Sequence, residues 1–310
     1  MNLRLSHLVL WIAVLAALGI LLVLAVRMVA VTEGGSPRNG GILERGTLGD
    51  PMTASPSSSP TPLYRYKVIK TYPHDRRFFT QGLVYEDGFV YEGTGLYGQS
   101  ALYMRELQTG KTVKTLRLPD KYFGEGITLF GDKLIQLTWQ SKVGFVYKKD
   151  TFTPLREFKY AGEGWGLTHD DRHLILSDGT ATLRFLDPNT YAETGRLKVH
   201  DQGRPVASLN ELEYVTSPPT IPATGPRIFA NIWPADRIVI IDPETGRITG
   251  RIDLSGLWTP PADEQGESVL NGIAYLPETK HLLVTGKCWP RMYEIELLPI
   301  LSQNQEQLAR

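Results

Sequence analysis

The chain has 310 residues, equal numbers of acidic and basic side chains, and 42% hydrophobic residues. This is enough apolar material for a sizeable core in one or two globular domains. The absence of a net positive charge argues against a nucleic-acid-binding protein, and the single cysteine, Cys288, excludes a framework of internal disulfides.

The first element in chain order is an uncharged apolar run, residues 8–26. A run of about 19 such residues is long enough to cross a bilayer and longer than the core of a typical signal peptide. We therefore predict an N-terminal membrane anchor over residues 1–31, with a cleaved signal peptide as the alternative. The folded part is then expected to be exported, in the periplasm or another extracytoplasmic space, or secreted if the run is cleaved. Residues 32–61, rich in Gly, Ser and Pro, are expected to form a disordered linker.

Five copies of one short pattern organise the rest of the chain. They read TQGLVY, GEGITL, GWGLTH, LNELEY and LNGIAY, and they begin at Thr80, Gly124, Gly164, Leu209 and Leu270. Neighbouring copies lie about 40–45 residues apart, apart from a longer last interval, and units of this length built from short strands are typical of β-propeller blades. Tight turns and Thr-containing hairpin turns follow each copy in the same order.

The last unit holds about three strands, whereas an unmatched strand, residues 64–73, precedes the first unit. Because an unpaired strand edge is a liability, we predict that this N-terminal strand completes the last blade. The predicted fold is all-β, a five-bladed β-propeller of four-stranded antiparallel blades over residues 62–299, preceded by a transmembrane helix. Residues 216–227 and 258–269 are interpreted as surface insertions and residues 300–310 as a polar tail.

The first strand of each propeller blade lines the central channel, so equivalent residues of the five units should form a ring around one mouth. The ring positions hold Gln81, Glu125, Trp165, Asn210 and Asn271. The second strand of a blade returns to the same mouth, where it should bring Trp139, Asp178, Trp233 and Lys287. Charged groups, amides and tryptophans that converge on one face favour a small-molecule pocket.

Glu125 and Lys287 are the candidate groups for proton transfer. Burial would raise the pKa of Glu125 and the charge of Lys287 would lower it, so the direction stays open. Glu125 could instead be a structural carboxylate bonded to channel amides, and Lys287 a lysine that reaches solvent. The tryptophans could instead belong to the core between blades.

Two other patterns carry no predicted site. Residues 93–98, GTGLYG, fit a dinucleotide-binding fingerprint but lie between strands, whereas that fingerprint needs a following helix. His169 and His173 have helical spacing but flank a predicted hairpin turn, which removes the shared face that a metal site needs. No metal site is predicted.

Longer motifs narrow the function: FTQGL, YFGEGITL, GWGLTHD, LNELEY, ANIWPADRI and VTGKCWPRMYEIEL. Together they resemble the plant-type glutaminyl-peptide cyclotransferases, a family with bacterial members, over about residues 72–297. The resemblance implies a five-bladed propeller that converts the N-terminal glutaminyl residue of a peptide or protein into pyroglutamyl and releases ammonia. It implies catalysis without a cofactor; a structural Ca²⁺ in the channel is conceivable but is not predicted.

The resemblance also implies residue roles. Glu125 of FGEG corresponds to the catalytic acid/base and Lys287 of GKCWP to the family's lysine. Substrate-binding roles follow for Phe79, Gln81, Phe123, Trp139, Trp165, Asn210 and Trp233, and the ring position adds Asn271. The expected partners are a peptide substrate with N-terminal Gln and, through residues 8–26, a membrane; no nucleic acid is expected, and the chain is expected to be a monomer.

Two other functions stay open. Oxygen ligands from Glu125, Asn210 and Asn271 around one channel would suit Ca²⁺, as in a metal-dependent lactonase-like hydrolase. A membrane-tethered propeller could also use the same face to bind peptides without catalysis.

Overall fold

The computed structural model describes residues 60–218, 225–262 and 268–300. Within these ranges the regular structure is entirely β, so they contain no helix that could cross a membrane. The predicted anchor at residues 8–26, nearly all of the linker and tail, and residues 219–224 and 263–267 of the two predicted insertions lie outside the described residues.

The chain enters the fold through one long strand and then forms three four-stranded antiparallel sheets in succession. The entering strand is β1 (Leu63–Pro73). The first sheet contains β2 (Thr80–Glu86), β3 (Phe89–Thr94), β4 (Ala101–Glu106) and β5 (Thr112–Arg117). The second contains β6 (Gly124–Phe130), β7 (Lys133–Thr138), β8 (Val143–Lys148) and β9 (Pro154–Lys159). The third contains β10 (Leu167–His169), β11 (Leu174–Leu176), β12 (Thr182–Leu186) and β13 (Glu193–Lys198).

The remaining strands form a small hairpin and one larger sheet. The hairpin consists of β14 (His200–Asp201) and β15 (Arg204–Pro205). The larger sheet contains β16 (Leu209–Val215), β17 (Arg227–Ile232), β18 (Arg237–Ile241), β19 (Ile248–Asp253), β20 (Leu270–Leu276), β21 (His281–Gly286) and β22 (Arg291–Pro299). Its strand order is β16-β17-β18-β19-β1-β22-β21-β20, so the N-terminal strand lies in its middle.

Strand β1 joins two groups of strands. It pairs antiparallel with β22 from Tyr64 opposite Pro299 to Pro73 opposite Arg291. This confirms that the N-terminal strand supplies the fourth strand of the last group. The same strand also pairs in parallel with β19, Leu63 opposite Arg251 and Tyr64 opposite Ile252, a contact that the sequence did not predict.

The first strands of the five groups form a ring. Strand β2 contacts β6 and β20, β10 contacts β6 and β16, and β16 contacts β20. The strands approach closely because glycine occupies the third position of most repeats. A Cβ atom on Gly126 would lie 2.5 Å from the Trp165 carbonyl oxygen, and one on Gly166 would lie 2.0 Å from that of Asn210. Only hydrogen fits in this space, so glycine allows the starts of neighbouring first strands to approach this closely.

Apolar side chains from alternate strand positions fill the space between sheets. Between the second and third sheets, for example, Ile135, Leu137, Leu167 and Leu174 are buried in one cluster. Each such side chain stabilises the fold by about 1.5–3 kcal/mol relative to exposure. Trp289 is buried in the cluster around the last strands.

Polar turns close the hairpins as predicted. The Asp187 carboxylate accepts the backbone N–H groups of Asn189 and Thr190, and Asp242 does the same for Glu244 and Thr245. The turn between β10 and β11 likewise separates the two histidines of HDDRH.

Candidate active site

Backbone hydrogen bonds explain why ring positions and second-strand ends meet at one mouth. In four groups, the residue after the second strand donates its N–H to the carbonyl of the residue two places before the ring position. These bonds join Gly95 to Phe79 (2.8 Å), Trp139 to Phe123 (3.0 Å), Trp233 to Ser208 (2.9 Å) and Lys287 to Val269 (2.9 Å). The predicted convergence is therefore fixed by the main chain, and Gly95 is the member that the sequence analysis missed.

Glu125 lies at this mouth and is 5% exposed. Its Oε1 accepts a hydrogen bond from Gln81 Nε2 at 3.2 Å. Gln81 Oε1 in turn accepts a bond from Asn271 Nδ2 at 3.1 Å, and that Nδ2 also donates to the Thr80 carbonyl at 3.0 Å. Asn271 is completely buried, so the structure places it behind Gln81, where it orients the Gln81 amide toward Glu125.

Lys287 lies in the loop after β21, is 6% exposed and is close enough to Glu125 for their charges to interact; we call the surroundings of this pair the recess. Its Nζ lies 4.7 Å from the centre of the Phe79 ring, a cation–π contact. The loop is held in place because Cys288 donates its backbone N–H to the Phe78 carbonyl at 2.8 Å. The buried Trp289 side chain anchors the same loop through its indole N–H, which donates to the Ser268 carbonyl at 3.2 Å.

Burial perturbs both ionisable groups, in opposite directions. It raises the pKa of Glu125 well above 4.5, against the opposing charge of Lys287 and together with the like charge of Glu163. Burial also lowers the pKa of Lys287 from 10.5 to about 8, although the charge of Glu125 opposes this change. The direction left open by the sequence is thus decided by burial, which favours the neutral form of each group.

Aromatic rings form the walls of the recess. Phe123 makes edge contacts with Phe79 at 6.3 Å, Trp139 at 5.6 Å and Tyr97 at 5.4 Å between ring centroids. Gly95 leaves room for this packing, since a Cβ atom there would lie 2.4 Å from the Phe123 ring. Together these rings form one aromatic cluster, which reaches Lys287 through Phe79.

Two further tryptophans pack against each other near this cluster. Trp165 packs edge-on against Trp233 with 5.9 Å between centroids. Trp233 is 37% exposed, which places it at the rim rather than in the core between sheets. The core alternative for this residue is therefore wrong.

Glu163 is a site residue that the sequence analysis missed. Its Oε2 accepts the indole N–H groups of both Trp139 (2.7 Å) and Trp165 (2.9 Å), and its Oε1 accepts a bond from Gln140 Nε2 at 3.1 Å. A signal was present, because Glu163 lies two residues before its ring position, where two other units carry Phe79 and Phe123. A carboxylate at a position that is aromatic in these units indicates a role other than packing.

Two remaining candidates differ in their contacts. Asn210 is 4% exposed, and its Oδ1 has no hydrogen-bond partner among the described residues. Asp178 instead caps a turn, because its Oδ1 accepts both the N–H and the hydroxyl of Thr180. Within the described ranges, no three His, Cys, Asp or Glu side chains are grouped closely enough to hold a metal ion.

Comparison with known proteins places this chain in a family. The family model for glutamine cyclotransferases matches residues 45–297. The chain belongs to the glutamine cyclotransferase family. A glutaminyl-peptide cyclotransferase of Arabidopsis thaliana is 40% identical over 235 residues, which are 74% of this chain and 71% of that protein. The crystal structure of a Myxococcus xanthus glutaminyl cyclase matches with a TM-score of 0.68 and 35% identity, over 78% of this chain and 100% of that one.

Proposed function

We propose that the recess around Glu125 and Lys287 is the active site in which this glutamine cyclotransferase converts N-terminal glutaminyl residues to pyroglutamyl. The observation that carries the proposal is the buried pair itself: a carboxylate of raised pKa and an ammonium group of lowered pKa inside one aromatic-walled recess. Perturbed pairs of this kind are typical of catalytic sites.

The reaction requires one group to move a proton between two nitrogens. The neutral α-amine of the substrate attacks its own γ-carboxamide carbon, a C–N bond forms and closes a five-membered lactam, and the bond to the amide nitrogen breaks. Glu125 takes a proton from the attacking nitrogen and gives one to the departing nitrogen, which leaves as ammonia. Proton transfer by a positioned side chain typically contributes about 10²–10⁴ in rate.

Lys287 is assigned to the charge that develops on the carboxamide oxygen during attack. A preorganised donor at such an oxygen typically supplies about 2.7–4 kcal/mol. The amide of Gln81 is already committed to Glu125 and Asn271. Asn210 keeps an unpartnered carbonyl oxygen and is thus suited to accept an N–H of the substrate.

The aromatic walls orient the substrate. A glutaminyl side chain must fold back on its own amine before it can react, and holding it in that geometry removes much of the entropic barrier. Phe79, Phe123, Trp139 and Trp165 supply the walls. The exposed Trp233 marks the rim, where the rest of the peptide leaves toward solvent.

The architecture proposed for the whole fold is a five-bladed propeller of four-stranded blades over residues 62–299. The ring of five first strands and the pairing of β1 with β22 support it. We further propose attachment to a membrane through residues 8–26, an extracytoplasmic location, a monomeric state and catalysis without a cofactor. These proposals rest on the apolar N-terminal run and on the resemblance of the motifs.

The test is to incubate the full chain with a dipeptide that begins with Gln and to follow ammonia and the matching loss of mass. For Glu125→Gln we expect kcat to fall by at least about 10², because the amide cannot shuttle protons. Glu157→Gln, on the exposed strand β9, is the matched control and should behave as wild type. Saturable peptide binding without ammonia release would replace this proposal with a binding function, and loss of turnover after exhaustive chelation would show that the reaction needs a metal.

A further inference from the structure

One carboxylate oxygen accepts hydrogen bonds from two tryptophan side chains, Trp139 and Trp165. Glu163 Oε2 accepts the Trp139 and Trp165 indole N–H groups, and Glu163 Oε1 is occupied by Gln140. Trp139 follows strand β7 and Trp165 precedes β10, so the two rings come from different sheets. Glu163 therefore links two aromatic side chains that come from different sheets and acts as their common anchor.

The anchor fixes the orientation of each ring. An indole has a single N–H donor and usually finds a partner for it when the ring is buried. Charge-assisted hydrogen bonds such as these are shorter and about twice as strong as neutral ones. With both donors drawn to one atom, neither ring can rotate about its side-chain torsions without losing its bond.

We propose that Glu163 is a positioning residue of the cyclisation, which holds Trp139 and Trp165 in the orientation that keeps the glutaminyl chain folded for attack. This inference rests on the proposed active site. It assigns no proton transfer to Glu163, whose two oxygens are engaged by the three donors named above.

Glu163 has a second, separable effect through its charge. The groups that act electrostatically on Glu125 are Lys287, which lowers its pKa, and Glu163, which raises it. The Tyr160 hydroxyl also interacts with Glu125. Its pKa is raised to about 12, so this hydroxyl stays neutral at the lower pH values of the assay. Removing the charge of Glu163 should thus lower the pKa of Glu125.

Two variants separate the two effects. Glu163→Gln keeps a carbonyl oxygen that can accept both indole N–H groups but removes the charge. Glu163→Leu removes both. Glu157→Gln, an exposed carboxylate on β9, is the control for loss of a negative charge.

With the full chain and the Gln dipeptide, we expect Glu163→Leu to lower kcat by about 10–100-fold, because misplaced walls cost orientation. It should also weaken the near-ultraviolet circular dichroism of the tryptophans. Glu163→Gln should restore kcat to within a few fold of wild type, and the acidic limb of its pH–rate profile should move to lower pH. The control should change none of these quantities.

The inference is overturned if Glu163→Leu keeps both the wild-type kcat and the wild-type near-ultraviolet spectrum. It is equally overturned if Glu163→Gln loses as much activity as Glu163→Leu. If Glu163→Leu does not fold, the rescue and the pH shift of Glu163→Gln still decide the matter. If wild type releases no ammonia, the proposed function fails, and the spectra alone then test the anchor.

Discussion

Replacing Lys287 by Met should make the protein less active and more stable. Met has a similar length but no charge, so it can fill the same space beside the Phe79 ring. In the wild type, burial lowers the pKa of Lys287 from 10.5 to about 8. At about 1.4 kcal/mol per pKa unit, the charged form costs the folded state about 3 kcal/mol, as an upper bound.

The sign of this cost follows from the direction of the pKa change. A lysine whose pKa is lowered by folding destabilises the fold fully below about pH 8, and the cost disappears as the pH rises toward 10.5. Removing the Lys287 cation takes away the influence that opposed burial at Glu125 and so favours the neutral form of that carboxyl group further. The cost of the buried ammonium group is then gone, and the free energy of unfolding at pH 6 should rise by up to about 3 kcal/mol.

The same substitution should lower the activity while it raises the stability. Loss of a donor to the developing oxyanion should reduce kcat by about 10²–10³, with a smaller change in KM. Urea unfolding at pH 6 and steady-state ammonia release give the two measurements, and Lys159→Met on the exposed strand β9 is the control. A variant that is less stable than wild type at pH 6, or one whose change is confined to KM, would refute the assignment.

Three further predictions concern residues around the ring. Gly95→Leu should raise KM at least about tenfold in the same assay, because a side chain there displaces Phe123; an unchanged KM would show that Phe123 does not bind substrate. Glu211→Ala should lower the free energy of unfolding in urea by roughly 3 kcal/mol, because Glu211 accepts buried backbone N–H groups from β2 and β20; a loss under about 1 kcal/mol would contradict this reading. The pKa of Glu213 is raised to about 8, mainly by burial, so its contribution to stability is lost as the pH rises from about 4.5 to about 8. Glu213→Gln should remove that part of the pH dependence of the free energy of unfolding, which amounts to a few kcal/mol at most. An unaltered pH dependence would contradict the role assigned to Glu213.

The repeated pattern predicted much of the arrangement because main-chain geometry depends on short local signals. The spacing of the five repeats and the turns between them predicted short antiparallel strands in successive groups. The free edge left by the last unit predicted the pairing of β1 with β22. The parallel contact of β1 with β19 had no signal, since it depends on how two groups of strands are placed in space.

The site was predicted less completely, because side-chain contacts are not periodic. The ring positions gave Glu125 and Gln81 but could not show that Asn271 lies behind Gln81. Glu163 was missed because the repeated pattern begins one residue before the ring position, so Glu163 lies just outside it. The direction of the pKa change in Glu125 needed the degree of burial, which sequence does not supply.

One physical cause accounts for the properties of the proposed catalytic pair. Removal from water penalises the charged form of either group, so burial moves the pKa of Glu125 upward and that of Lys287 downward, toward each other. Their mutual attraction opposes both movements, but it is the smaller influence on each. Glu163 acts on Glu125 in the same direction as burial, because a second negative charge makes ionisation harder. In the proposed site the aromatic rings would therefore serve the chemistry twice, since they would orient the substrate and exclude the water that stabilises the charged form of Glu125.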